Sequence, residues 1–367
     1  MRNNICHLFI LFLTLALLAF TFDCYALEIN GQFSISGILA GAYQYQDVDG
    51  DDDLGRGAVP LQLALTYAPG ENDVFSAKFG FAAGNGLIDR TGFALSPWTA
   101  DLEDDTRDIN GRNRDYLLTA WYMHRFEFGA ESGISVTGGI IDATDYLDEN
   151  TYSNDEYTQF MNEALVNGPN AFLPSYDIGA SLQFTHKDLA LSGVLMHIGE
   201  NDTGNSYNFY GLQLGYTIET FLGPGNYRML VGATSNDFLD PSGLAQENRK
   251  CLLFSFDQQF GSNYGTWLRM GTQDDAAAIS YKNIYSGGIY ISGQLWGRQN
   301  DNGGIGYAHL NGGNTGLDTS RVLEAYIRFG LNDYLAFTMD IQYMNDDYEI
   351  AEKIKGFIYG LRMAAEF

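Results

Sequence analysis

The sequence predicts an all-β fold, a transmembrane antiparallel β-barrel of 16 strands. Three observations lead there. Apolar residues recur at every second position in segment after segment. These segments are even in number, and their connections alternate between short and long. Nothing after residue 26 has the 18 consecutive apolar residues of a membrane-crossing helix. Composition agrees: 43 Gly, 24 Tyr and 24 Phe against only 7 Pro suit strands joined by turns and oppose disorder. A net charge of −26 excludes the basic footprint of a nucleic-acid binder.

Residues 1–26 read as a secretory signal peptide. Arg2 gives a positive start, and Leu8 to Phe22 is apolar apart from two Thr. Cys24-Tyr25-Ala26 then places small residues at the −3 and −1 positions of a cut after Ala26. The run is short for a membrane anchor of about 20 residues, and Thr21-Phe22-Asp23 does not resemble a lipidation signal. Cleavage would leave Cys251 as the only cysteine, so the exported chain is expected to hold together without an intramolecular disulfide. Residues 27–367 are expected to form one unit with no domain linker.

The clearest alternation is at the C-terminus. Phe357, Tyr359, Leu361, Met363 and Phe367 share one parity, with Gly360, Arg362 and Glu366 on the other. Leu335 to Tyr343, Phe33 to Tyr45, Tyr210 to Ile218 and Leu252 to Phe260 follow the same period of two. Strands are expected near 31–45, 58–68, 74–83, 116–127, 133–141, 177–186, 189–199, 207–218, 227–235, 250–260, 265–272, 285–294, 304–310, 322–330, 334–344 and 356–367. Period two fits a soluble sandwich as well as a barrel, so the connections decide. Short ones at 69–73, 128–132, 187–188, 261–264 and 331–333 oppose long ones at 46–57, 84–115, 142–176, 236–249, 273–284 and 311–321. That is the layout of a bacterial outer-membrane barrel. Tyr43, Tyr45, Trp121, Tyr122, Tyr285, Tyr343 and Phe367 lie near strand ends and are expected in the interfacial girdles.

The connection 142–176 differs from the rest. It opens acidic, from Asp142 to Asn150. Ser153-Asn154-Asp155-Glu156 then matches a capping box, and Tyr157, Phe160, Met161, Ala164 and Leu165 follow at helical spacing before Gly168-Pro169. A short amphipathic helix of about three turns is expected there. A loop of this length is usually functional. It either folds into the barrel to narrow a pore or lies over the extracellular mouth.

Three blocks then resemble the carbohydrate-selective porin (OprB) family. The first is Asp142 to Asn162, read as D-A-T-D-Y-L-D-E-N…N-D-E-x-x-Q-F-M-N. The second is Gly293-Gln294-Leu295-Trp296-Gly297-Arg298 with Asp301 and Gly304-Ile305-Gly306. The third holds Glu324-Ala325-Tyr326, Gln342-Tyr343, Arg362 and the terminal Phe. The blocks lie within residues 116–367, and the first third of the chain fits by pattern only. The resemblance implies a sixteen-stranded barrel in the outer membrane of a Gram-negative bacterium, for passive uptake of sugars, as a monomer or a homotrimer.

A channel needs no catalytic group and no cofactor; it needs a narrow zone lined by polar groups. The candidate constriction residues are Asp142, Asp145, Asp148, Glu149, Asp155 and Glu156 of the loop. Taking Phe367 as outward, the candidate lumen wall is Arg125 with Glu127, Arg228, Trp267 with Arg269, Glu324, Arg328, Asp340 and Arg362, with Lys78 and Glu366 also inward. Arg rows opposite loop acids would set a transverse field, and Arg offers a planar fork of donors to paired hydroxyls. The same charges would serve equally to brace the wall. A one-residue register slip would turn the whole set outward.

Asp47 to Asp53 hints at a calcium loop, but its Gly is fourth rather than sixth and no Glu stands twelfth. It reads as a solvated acidic loop, as does Asp101 to Asp108. Such acidic faces can share divalent ions with lipopolysaccharide. No His pair has metal spacing. No G-x-S-x-G is present, and none of His124, His186, His197 and His309 has a Ser two residues on, so an enzyme is not expected. A general or ion-selective porin shares every feature except a sugar-binding constriction, and a soluble adhesin would lack the girdles.

Overall fold

The computed structural model describes residues 27–88, 90–129 and 131–367. The expected signal peptide, 1–26, lies outside the described residues. Sixteen strands form the wall: β1 Phe33–Asp49, β2 Leu54–Tyr67, β3 Asp73–Ala83, β4 Leu117–Glu127, β5 Ser132–Ile141, β6 Asp177–His186, β7 Leu189–Ile198, β8 Tyr207–Thr220, β9 Gly223–Thr234, β10 Lys250–Phe260, β11 Tyr264–Gln273, β12 Tyr281–Ser292, β13 Asn302–Gly312, β14 Leu317–Gly330, β15 Leu335–Tyr348 and β16 Ile354–Glu366. Each pairs antiparallel with the next. β16 then pairs with β1, from Lys355 opposite Asp49 to Glu366 opposite Ile38, and closes the ring. Phe367 finishes the seam: its N–H donates to the Gly37 carbonyl (3.0 Å) and its carbonyl accepts from the Gly37 N–H (2.8 Å). Closure pairs the backbone along the whole wall and leaves no sheet edge, which a bilayer requires.

All sixteen expected strands are present, but three long loops are not. Residues 46–49 and 54–57 belong to β1 and β2, so the connection is 50–53 alone. The connections expected at 273–284 and 311–321 shrink to 274–280 and 313–316. About 9–11 residues cross a bilayer, whereas β1 has 17 residues and β2 and β15 have 14 each. The surplus runs past the membrane as a paired rim, where polar residues break the apolar alternation without ending the strand.

The opposite end carries the short turns. Its longest, 293–301, is built around Asp301. Oδ2 of Asp301 accepts from Arg298 Nε (2.6 Å) and Trp296 Nε1 (3.0 Å), and Oδ1 accepts from the Gly330 N–H (3.0 Å). Gly297, at φ 78°, ends the tight turn in the left-handed region that glycine tolerates.

The wall presents two apolar surfaces. Outside, Tyr45, Tyr122, Leu195, Tyr285, Ile289, Ile305, Leu323, Met339 and Tyr359 are exposed, a belt far larger than a soluble monomer shows. Its solvent is hydrocarbon. Inside, wall residues Ile141, Leu253, Ile284, Val322, Met344 and Ile358 pack with loop residues Leu87, Leu95, Leu147, Phe160 and Leu165. Trp121, expected in a girdle, has the opposite parity to exposed Tyr122 and packs against this inner cluster. The 84–116 and 142–176 connections therefore enter the barrel and supply much of its core.

Candidate functional site

Segment 142–176 is bolted across the lumen by charged groups of the wall. Arg269 of β11 is fully buried and spends its guanidinium on the loop: Nε on Asp148 Oδ1 (2.8 Å), and the other nitrogens on Ser153 Oγ (2.8 Å) and the Ser153 carbonyl (2.6 Å). Asp148, at φ 57°, also accepts from the Gly168 N–H (2.8 Å). Across the barrel, Arg362 of β16 donates to the Glu156 and Gln159 carbonyls (2.7 and 2.8 Å). Glu324 of β14 accepts from the Met161 and Asn162 N–H groups (2.6 and 3.0 Å). Between these anchors Phe160 meets Trp267 and Tyr326 edge-on, with centroids 5.7 and 5.0 Å apart.

These anchors explain why the expected three-turn helix does not form. The backbone groups of 156–162 that a helix would pair internally are taken by Arg362 and Glu324. Only one short α-helix forms in the segment, α1 Glu163–Val166, capped by Asn162, whose side chain accepts from the Ala164 N–H (3.1 Å). Ser153 is no cap; its Oγ donates to the Leu165 carbonyl. Asp155 instead holds a local turn, accepting from the Tyr157 N–H (2.8 Å) and the Thr158 N–H (3.1 Å).

A second inward segment is 84–116, expected at 84–115 as a plain long loop with solvated acids. Trp98 is buried and donates from Nε1 to the Glu156 carbonyl (2.9 Å). The Pro97 carbonyl accepts from Gln44 (2.9 Å) and Gln342 (2.8 Å) on the wall. The two segments share backbone bonds, from the Thr99 N–H to the Met161 carbonyl and from the Glu163 N–H to the Ser96 carbonyl, both 3.1 Å. Asp101 points inward, accepting from the Tyr176 hydroxyl at both oxygens (2.8 and 2.7 Å) and from Gln62. The signal for this was present: Phe93, Leu95, Trp98, Ala100 and Leu102 are too apolar for a solvated loop. Trp98→Ala is expected to weaken the docking of 84–116 by about 3–5 kcal/mol. Limited proteolysis of the detergent-solubilised barrel reads this as new cleavage within 84–116.

Between the segments lie two cavities of about 310 and 390 Å³. The inner one is bounded by Asp101, Asp142, Glu156 and Glu163, and the outer one by Asp101, Asp104, Asp105, Arg107 and Asp108. Thr99, Asp101, Ser175 and Tyr176 line both, so the two cavities adjoin across these four residues. Tyr176 holds φ 60°, an uncommon conformation for a bulky residue. Lys78 of β3 is the cation whose charge acts on Asp101, Asp142, Asp145 and Glu156 together. Burial pushes the Asp142 carboxyl up to about 7, with the charge of Asp145 adding to it, against hydrogen bonds from Thr144. Burial also raises Asp101, Glu156 and Glu163.

The sequence-predicted residues divide into groups. Asp142 and Glu156 line the inner cavity, and Asp145 and Glu149 are exposed in the lumen. Asp148 and Asp155 are occupied by Arg269 and by their own turn. Arg269, Glu324 and Arg362 hold the loop, with Trp267 packed beneath it and Asp340 accepting from Gln342 (3.0 Å). Arg228 pairs with Asp257 (2.7 Å), and Arg328 with Glu366 (2.8 Å). Arg125 and Glu127 face one another (3.4 Å) in a separate cavity beside the short turns, with Glu131 and Lys187. The expected Arg row opposite the loop acids therefore does not form from Arg269 and Arg362. Both are fully buried, because unpaired loop backbone in a dry interior must find partners.

No family model matches the chain. Among solved structures it is similar to the high-pH structure of Pseudomonas putida OprB, with a TM-score of 0.71 at 13% identity over 92% of this chain and 94% of that one. The outer membrane channel DcaP of Acinetobacter baumannii follows at a TM-score of 0.55 and 9% identity over 94% and 100%. Outer-membrane expressed OmpT of Vibrio cholerae gives 0.53 and 8% over 92% and 99%. At these identities the likeness is one of fold: the chain has the sixteen-stranded barrel of outer-membrane porins. In sequence it is 33% identical over 264 residues, 71% of this chain and 74% of the other, to an uncharacterized protein of Aquifex aeolicus (strain VF5), and it belongs to the same family as that protein.

Proposed function

We propose that the protein is an outer-membrane porin of a Gram-negative bacterium that admits small sugars by passive diffusion. The observation that carries this is the pair of adjoining cavities between segments 84–116 and 142–176, inside a barrel of porin fold. Their lining offers what a sugar exchanges for water: carboxylate acceptors at Asp101, Asp142 and Glu163, and hydroxyls at Thr99, Thr144, Ser175 and Tyr176. No bond is made or broken, so the work of these groups is to replace hydration in a narrow zone. The apolar belt meets the lipid bilayer, and the acidic loop end meets lipopolysaccharide. A homotrimer belongs to the same proposal. The excess of acids over cations in the passage favours a second reading, an ion-selective porin without a sugar site.

Conductance in a planar lipid bilayer, titrated with glucose and then with a disaccharide, separates the readings. Discrete steps that close saturably with sugar are expected. Steps indifferent to sugar would leave the ion-selective reading, and no steps from a folded barrel would overturn both.

A further inference from the structure

We infer that the passage sorts sugars by charge, admitting amino sugars and neutral sugars and turning back uronates, with Asp101 as the specificity-determining residue. This rests on the porin reading above. The argument is geometric. A solute crossing between the two cavities must pass the four residues they share, and Asp101 is the only charged one. Its carboxylate is pinned there: the Tyr176 hydroxyl bridges both oxygens, Gln62 donates to one of them, and the Asp101 N–H is held by the Tyr157 hydroxyl (3.2 Å). A charge fixed in this way cannot swing aside.

The cations nearby do not cancel it. Arg107, at the outer cavity, is paired with Glu103 (2.9 Å). Arg112 is paired with Asp177 (3.2 Å), and Arg114 donates to the Tyr176 carbonyl. Arg269 and Arg362 are buried beneath segment 142–176. Lys78 remains, and its charge acts on Asp101, Asp142, Asp145 and Glu156 together. A narrow cleft lined by one sign of charge, with low-dielectric walls, concentrates its field along the path. An ammonium sugar gains from that field, a neutral sugar is indifferent to it, and a sugar carboxylate is repelled. The three solutes have nearly the same size and differ at one position each, an ammonium at C2 or a carboxylate at C6 in place of a hydroxyl, so charge is the main difference between them.

The test is osmotic swelling of proteoliposomes at pH 7 with glucosamine, glucose and glucuronate. Glucosamine is expected to enter about tenfold faster than glucuronate, at the low end of what such focusing gives, with glucose between. Asp101→Asn should reduce that ratio severalfold, and Lys78→Gln should raise it. Glu131→Gln, beside the short turns, should leave it unchanged. Lys78→Gln keeps the inference open to refutation if Asp101→Asn fails to fold. Glucose entry with equal rates for the two charged sugars would overturn this inference alone, as would a ratio indifferent to both variants. No entry of any of the three through a folded barrel would overturn the porin reading as well.

Discussion

Arg269→Met is expected to free segment 142–176 from the barrel wall and to enlarge the single-channel step. Arg269 and Asp148 are both fully buried in their side chains, at 2.8 Å. Removing the arginine leaves the Asp148 carboxylate without its counter-charge and two Ser153 oxygens without their donor. Breaking one side of such a pair costs about 3–5 kcal/mol. The cost falls on the docking of the loop, because the barrel wall is held by its own ladder. Channel recording should therefore show larger, noisier steps, and protease should gain access within 142–176. The double variant Arg269→Met with Asp148→Asn should recover part of the docking, since it leaves no charge buried alone while an amide oxygen can still accept from the Gly168 N–H and Asn tolerates the left-handed φ. A single variant with unchanged steps and an intact loop would show that Arg362 and Glu324 suffice as anchors.

The second large effect is on pH. Burial and the neighbouring Asp145 push the Asp142 carboxyl from the usual 3.8 up to about 7. The titratable groups around it are Asp145 on its own segment, Tyr146 and Tyr176 on either side, Lys78 on β3, and Asp101, Glu156 and Glu163 across the inner cavity. A carboxyl raised in the folded state is neutral at pH 5 and charged at pH 8. The preference for cations over anions, read as the reversal potential across a KCl gradient, is therefore expected to rise between pH 6 and pH 8. Stability runs the other way. The undocked carboxyl ionises first, so docking of the segment weakens as pH climbs from about 4 to about 7 and then levels off. Asp142→Asn should flatten both dependences near neutral pH. A reversal potential independent of pH in the native protein would place the selectivity elsewhere than the inner cavity.

Much of this molecule could be read before its structure was known. The strands are legible because a barrel wall has two unlike solvents, and each must be matched residue by residue. Leu335 to Tyr343 and Phe357 to Phe367 show it plainly, and all sixteen segments are where alternation places them. Segment 142–176 is legible as unusual because its acids and aromatics are too costly for an idle loop. Its helix was misread because spacing reports only which residues are apolar. Tyr157, Phe160, Met161 and Leu165 are indeed buried, but against Trp98, Trp267, Tyr326 and the wall rather than along one helical face. Segment 84–116 was missed for the opposite reason: its run of acids, Asp101 to Asp108, masked the apolar residues that precede it.

The sixteen-stranded wall, its outward apolar belt and the parity of inward charges such as Arg269, Glu324 and Arg362 are legible in the alternation alone. These follow from a period of two and from neighbours adjacent along the chain. What those charges do depends on contacts between residues far apart along the chain. Arg269 meets Asp148 across 121 positions, and Glu324 meets Met161 across 163. No local pattern records which distant backbone group will lie within 3 Å of an inward side chain. The anchors close over the loop because a dry interior leaves no other partner for its N–H and carbonyl groups. The acids those anchors do not reach, Asp101 and Asp142 among them, are left to line the cavities between the two segments.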